Sequence, residues 1–137
     1  MPRKTKKTKT TSKLVQDLQK HFNKFIRERD KDLPCISCGQ FKELQAGHYF
    51  PVKLFSSLRF DKDNVHGECA GCNGFDDSHL IGYGINLKNK IGEERYNALL
   101  ERAENHKKMY RGKPPFKWQR HELLEQIEKY KELNKLK

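Results

Sequence analysis

Four cysteines, Cys35, Cys38, Cys69 and Cys72, stand as CxxC, thirty residues, CxxC, and every cysteine of the chain falls in this pattern. Each pair can set two sulfurs on one edge of a metal, and two pairs complete a tetrahedron around Zn²⁺. Four thiolates leave no open position for water, so such a site is structural and its binding free energy becomes folding free energy. Unligated thiols or an iron–sulfur cluster are the alternatives, and His66 is a candidate to replace one thiolate. The segment "DNVHGECAGCNGFDD", residues 63–77, then adds donors of another kind: Asn73 directly after Cys72, with Asp76, Asp77 and His79 close behind. Amide and carboxylate oxygens suit a hard cation. If a helix begins near Cys72, Asn73 and Asp77 are four apart and project from one face, and Asp76 is nearly as well placed.

The elements that must position these groups are readable in outline. From Ser12, a plausible N-cap, apolar residues Leu14, Val15, Leu18, Phe22, Phe25 and Ile26 recur at helical spacing until Asp30 and Pro34 end the pattern. "CISCGQ" reads as a tight knuckle with Gly39 supplying freedom in φ, followed by a strand-like run from Phe41 to Phe50 that contains His48. A second extended piece around Asn64 to His66 leads into the Cys69/Cys72 turn. "NGFDDSHLIGYGINLKNKIG" can hold a short helix interrupted by glycines. A clear helix follows Gly92 to about Tyr110, and another carries Leu123, Leu124, Ile127, Tyr130 and Leu133, so the C-terminal third is expected to be a helical hairpin. The expected class is α+β: a disordered basic arm over 1–11 and a single domain over 12–137, with a helix at 12–30, a zinc-stapled core at 33–82 and a helical extension at 83–137. His21, His106 and His121 lie among charges on the helices and read as surface groups.

Only 34% of the residues are hydrophobic and 34% are charged, a lean composition for which a metal staple is useful. No apolar run approaches the roughly 20 residues that span a bilayer, and the basic N-terminus has no apolar segment behind it. A cytoplasmic protein with no membrane contact is expected, and reduced thiols there favour metal ligation over disulfides. The formal net charge is +11 and the pI about 9.6, which points to a polyanionic partner. The threonine-rich arm with Lys4, Lys6 and Lys7 would scan phosphates non-specifically. "KKMYRGKPPFKWQR" surrounds Tyr110, Phe116 and Trp118 with Lys107, Lys108, Arg111, Lys113, Lys117 and Arg120, a mixture able to neutralise phosphate and stack on an unpaired base. Equally, those aromatics can pack a connection between helices.

The order His48, Asn64, Asn73 within the four-cysteine frame resembles the zinc-supported HNH endonucleases. The resemblance implies a ββα-metal fold, with the first His on one strand, the middle Asn in the connecting loop or second strand and the last residue on a helix. It implies that His48 deprotonates water for phosphodiester hydrolysis, that Asn64 fixes the loop and orients His48, and that Asn73 with Asp77, or with Asp76 or His79, holds catalytic Mg²⁺ or Mn²⁺. One feature departs from the pattern: many members carry a metal-binding Asp or His immediately before the catalytic His, and this chain has Gly47 there.

Over residues 33 to 105 the runs "CISCG", "QAGHYFP", "LRFDKDNVHGECAGCN" and "LIGYGINLKNKIGEERYNALL" are similar to the NinG/Rap family of phage recombination nucleases. That similarity implies a structure-specific endonuclease in the host cytoplasm that cuts branched DNA such as Holliday junctions and D-loops. Two cuts per junction make a homodimer attractive, with the C-terminal apolar stripe as one place for it, and a recombinase is a further candidate partner. A zinc module that binds DNA without cutting it, or an HNH enzyme with sequence preference, would share many of these features.

Overall fold

The computed structural model describes residues 8–75 and 79–136. Thr10 caps the first helix, α1 (Thr11–Asp30), its side chain accepting from the Lys13 N–H, so the helix starts slightly earlier than the Ser12 expectation. The following knuckle closes on itself: Cys35 N–H donates to the Gln40 carbonyl, and Gly39 N–H donates back to the Cys35 carbonyl from a φ of 74° that favours glycine. Strand β1 (Leu44–His48) pairs antiparallel with β2 (Val65–Cys69), with Gly47 opposite His66 and His48 opposite Val65. A 3₁₀ turn, Ser56–Leu58, lies in the connection. Then come α2 (Ala70–Phe75), α3 (His79–Ile91), α4 (Glu93–Tyr110) and α5 (Arg120–Lys135).

Apolar residues form two clusters. One joins Leu14, Leu18, Phe22 and Ile26 of α1 to Leu123, Ile127 and Tyr130 of α5, with Phe60 and Val65. The other joins Tyr83, Leu87 and Ile91 of α3 to Leu99 and Ala103 of α4, with Ile36 and Leu58. The expected C-terminal hairpin is therefore corrected. Helix α5 packs on α1, the first helix, and α4 packs on α3. Leu123, Ile127 and Tyr130 of the α5 stripe are thereby buried within the chain, Tyr130 standing edge-on to Phe22 with ring centroids 5.2 Å apart, while Leu124 stays exposed.

The glycines of α3 do not interrupt it. A Cβ at Gly82 would overlap the carbonyl oxygen of Ser37, and one at Gly84 would come within 2.9 Å of the Tyr49 hydroxyl. Both glycines let the helix lie directly against the knuckle and the end of β1.

At the end of α1 the Asp30 carboxylate is buried, accepting from the Gly67 N–H at 2.8 Å and from Arg29, and paired with Lys90 at 2.9 Å. Burial alone would raise its pKa, but these cations and the N–H hold the carboxyl well below the usual range.

Candidate metal centre

The knuckle, the last residue of β2 and the first turns of α2 bring together Cys35, Cys38, Cys69 and Cys72, whose sulfurs all lie within 4.8 Å of one another. Cys38 Sγ and Cys69 Sγ are 3.9 Å apart. The edge of a tetrahedron built on Zn–S bonds of about 2.3 Å is about 3.8 Å, so the cluster fits zinc and can hold one ion. Cys35 Sγ accepts N–H groups from Cys38 at 3.5 Å and Cys69 at 3.3 Å. His66 is not part of this set. Its Nε2–H donates to the Asp63 carbonyl at 2.9 Å, and Nδ1 accepts from Lys90 at 2.8 Å and Arg29 at 3.0 Å, so both ring nitrogens are engaged. Burial, with the Lys90 and Arg29 charges, pushes its pKa down to about 3 and keeps it neutral.

His48 ends β1, half-buried, with Nε2 2.9 Å from the Arg59 carbonyl oxygen. A carbonyl can only accept, so Nε2 carries the proton and Nδ1 keeps its lone pair. Burial, opposed by that hydrogen bond, lowers the His48 pKa below its ordinary value, leaving the ring neutral. Asn64 is fully buried immediately before β2. Its Oδ1 accepts the Phe50 N–H at 2.8 Å, its Nδ2 donates to the carbonyls of Phe50 and Leu58, and its own carbonyl accepts the Tyr49 N–H at 2.9 Å. One side chain thus closes the whole loop that leaves His48.

On the other face of the ribbon, Asn73 Nδ2 donates to Gln45 Oε1 at 2.9 Å, which turns Oδ1 over Gly47. Beside it lies Glu68, fully buried and not anticipated from the sequence. Its Oε2 accepts from His79 Nδ1 at 2.6 Å and from the Ser37 hydroxyl. His79 therefore spends Nδ1 on Glu68. Tyr83, also buried, donates to the Gly47 carbonyl at 2.6 Å and fixes that end of the strand. Helix α2 ends at Phe75, and Asp76 and Asp77 lie outside the described residues, as do Lys4, Lys6 and Lys7.

Lys107, Lys108, Arg111, Lys113, Lys117 and Arg120 are exposed, Arg120 donating to the Lys9 carbonyl at 2.6 Å. Of the two readings of Trp118, stacking on a base or packing a helix connection, its contacts fit the second. Its Nε1–H donates to the Ser56 carbonyl at 3.0 Å and its ring stands edge-on to Phe60 and Phe116. Phe116 in turn meets Tyr110 at 5.8 Å, so the aromatic run closes the crossing from α4 to α5. His106, read as a surface group, is buried and hydrogen-bonded through Nδ1 to the Ser57 hydroxyl at 2.6 Å. Its neighbours Leu54, Phe55, Lys107, Tyr110 and Arg111 line a cavity of about 440 Å³ with an aromatic wall and a cationic rim.

No helix among the described residues is long and apolar enough to cross a membrane. The molecule is thus a small mixed α+β protein whose four gathered cysteines can hold a metal ion. Matched over residues 1–137 by the family model described as "Bacteriophage Lambda NinG protein", the chain belongs to the NinG family of lambdoid phage proteins. Protein ninG of Escherichia phage 933W is 40% identical over 101 residues, 72% of this chain and 50% of that protein. For protein ninG of Escherichia phage lambda the identity is 38% over the same shares, and for that of Salmonella phage P22 it is 43% over 86 residues, 61% of this chain and 42% of that protein. The chain spans about half the length of the curated relatives it matches. No solved structure matches it.

Proposed function

We propose that the protein is an HNH endonuclease of the ββα-metal kind, hydrolysing phosphodiesters in branched DNA such as Holliday junctions and D-loops. The observation that carries this reading is the state of His48: Nε2–H committed to the Arg59 carbonyl, Nδ1 unprotonated, and the loop behind it closed by Asn64. A neutral, oriented imidazole is what a general base at neutral pH requires. The order of His48 on β1, Asn64 before β2 and Asn73 on α2 supports it further, as do NinG family membership and the net charge of +11.

In this reading His48 Nδ1 takes a proton from water as its oxygen attacks phosphorus and the bond to the 3′ oxygen breaks. The Arg59 carbonyl holds the ring through the transfer and stabilises the imidazolium that forms. Alternation along β1 puts His48 and Gly47 on opposite faces of the ribbon, so a phosphate acted on from both would have to reach across the strand end. The chemistry that Mg²⁺ or Mn²⁺, held by Asn73 and an acid, supplies there is neutralisation of phosphate charge and support of the leaving 3′ oxygen. Zinc on the four thiolates is structural. Lys107, Lys108, Arg111, Lys113, Lys117 and Arg120 neutralise the arms of the junction, whose shape is read through phosphate geometry.

The test is cleavage of a synthetic four-way junction and its matched linear duplex with Mg²⁺ or Mn²⁺, comparing the intact protein with His48→Ala at equal zinc content. Junction cutting that disappears in the variant, with the duplex spared, is the expected result. Salt-sensitive binding without nicking in either metal would replace this reading with a non-catalytic DNA-binding zinc module, and cutting at one linear sequence would indicate a site-preferring enzyme.

A further inference from the structure

The geometry points to Glu68 as the carboxylate ligand of the hard-cation site, entering from β2 in place of the residue that Gly47 does not supply. The inference rests on the nuclease reading for the identity of the site, although not for the geometry. Glu68 is fully buried, and its two oxygens are treated unequally. Oε2 receives His79 Nδ1 at 2.6 Å and the Ser37 hydroxyl, whereas Oε1 is buried with no hydrogen-bond partner among the described residues. An unpartnered buried carboxylate oxygen is costly, and a cation is the partner that best repays it.

Where that oxygen points is equally informative. A Cβ placed on Gly47 would overlap Glu68 Oε1 and stand 3.1 Å from Asn73 Oδ1. The two oxygens thus converge on the space that a side chain at position 47 would fill. Gly47 is required there because the acid arrives from the neighbouring strand. His79 and Ser37 do what partners of a ligating carboxylate do: they fix its rotamer and leave one oxygen for the ion. Ser37 belongs to the first CxxC turn and Asn73 directly follows the second, so the sulfur site places the supports of the oxygen site.

The experiment is Mn²⁺ binding to the zinc-loaded full chain, followed by EPR of free Mn²⁺ and by calorimetry, for the intact protein, Glu68→Gln, His48→Ala and the exchange Gly47→Asp/Glu68→Gly. Zinc content and near-ultraviolet circular dichroism show that each variant is folded. Glu68→Gln is expected to weaken Mn²⁺ by at least about tenfold, His48→Ala to leave it unchanged, and the exchange, which returns an acid to position 47, to recover it. Equal Mn²⁺ affinity in Glu68→Gln and the intact protein overturns the assignment even if the junction is still cut. Loss of Mn²⁺ in Glu68→Gln and its return in the exchange, in a protein that cuts nothing, sustains the site and overturns the nuclease reading instead.

Discussion

Asn64 and Phe50 exchange two hydrogen bonds across fourteen residues: the Phe50 N–H donates to Asn64 Oδ1 at 2.8 Å, and Asn64 Nδ2 donates to the Phe50 carbonyl at 3.0 Å. The side chain behaves as a strand partner would, in a loop with no strand to pair with. Asn64→Ala leaves the Phe50 N–H and the Phe50 carbonyl without these partners and takes one of two donors from the Leu58 carbonyl, which keeps the Asp61 N–H. An expected loss of about 3 kcal/mol in unfolding free energy follows from the cost of unsatisfied buried groups. Urea unfolding with zinc present measures it, and a loss below about 0.5 kcal/mol, the scale of an ordinary surface change, would contradict the clamp.

Removal of zinc should unfold more than the knuckles. Cys35 and Cys69 are buried, and Ile36 beside them belongs to the α3/α4 core. A strong chelator is expected to abolish most of the helical circular dichroism and Cys69→Ser to reproduce the effect, because binding free energy here is folding free energy. Recovery with Zn²⁺ and none with Mg²⁺ is the expected pattern. A chelated protein with unchanged ellipticity would mean that the apolar cores suffice.

The acid limb of cleavage should lie below the ordinary histidine value. Burial lowers the His48 pKa below 6.5, so at that pH the neutral form of the base predominates and protonation takes over only further down. At saturating Mg²⁺ the rate is therefore expected to fall as pH drops through the lowered value, with the midpoint of that fall below the ordinary histidine value. A limb centred above pH 7 would assign the base to another group.

Two glycines separate backbone necessity from chance. A Cβ at Gly82 meets the fixed carbonyl of Ser37, whereas one at Gly74 meets nothing within 4 Å. Gly82→Ala is expected to cost about 2 kcal/mol or more by forcing α3 away from the knuckle, and to speed zinc loss to a chelator. Gly74→Ala should be neutral or stabilising by up to about 1 kcal/mol, the helix preference of alanine. Equal effects in denaturation and zinc-release rates would show that α3 does not bear on the knuckle.

Local pattern carried much of this architecture. The CxxC pairs, the stripe of α1 and the helices after Gly92 and Trp118 were legible because short-range spacing decides them. Partner choice was not: the stripe of Leu123, Ile127 and Tyr130 announces burial but not whether α4 or α1 covers it. Gly82 and Gly84 read as breakers because their reason is a neighbour distant in sequence, Ser37 or Tyr49. Glu68 escaped notice for a related cause. The candidate donors legible in the sequence stand beside His48 and after Cys72, whereas Glu68 stands across the ribbon and comes beside them only through the pairing of Gln45 with Glu68. The signal available was Gly47 itself, a missing side chain on one strand with an acid on the next. His106 and Trp118 look polar or sticky by residue type, yet Ser57 and Ser56, far away in the chain, satisfy them.

The clasp between the first and last helices sets an order of events as the chain is made. All four cysteines and both strands precede α5 by some fifty residues, so the sulfur centre can close on a short loop while synthesis continues. Helix α1 can meet Phe60 and Val65 early, but its cover by Leu123, Ile127 and Tyr130 waits until Arg120–Lys135 has emerged. Until those sixteen residues emerge, the α5-facing part of the α1 stripe is left without the side chains that cover it in the finished fold.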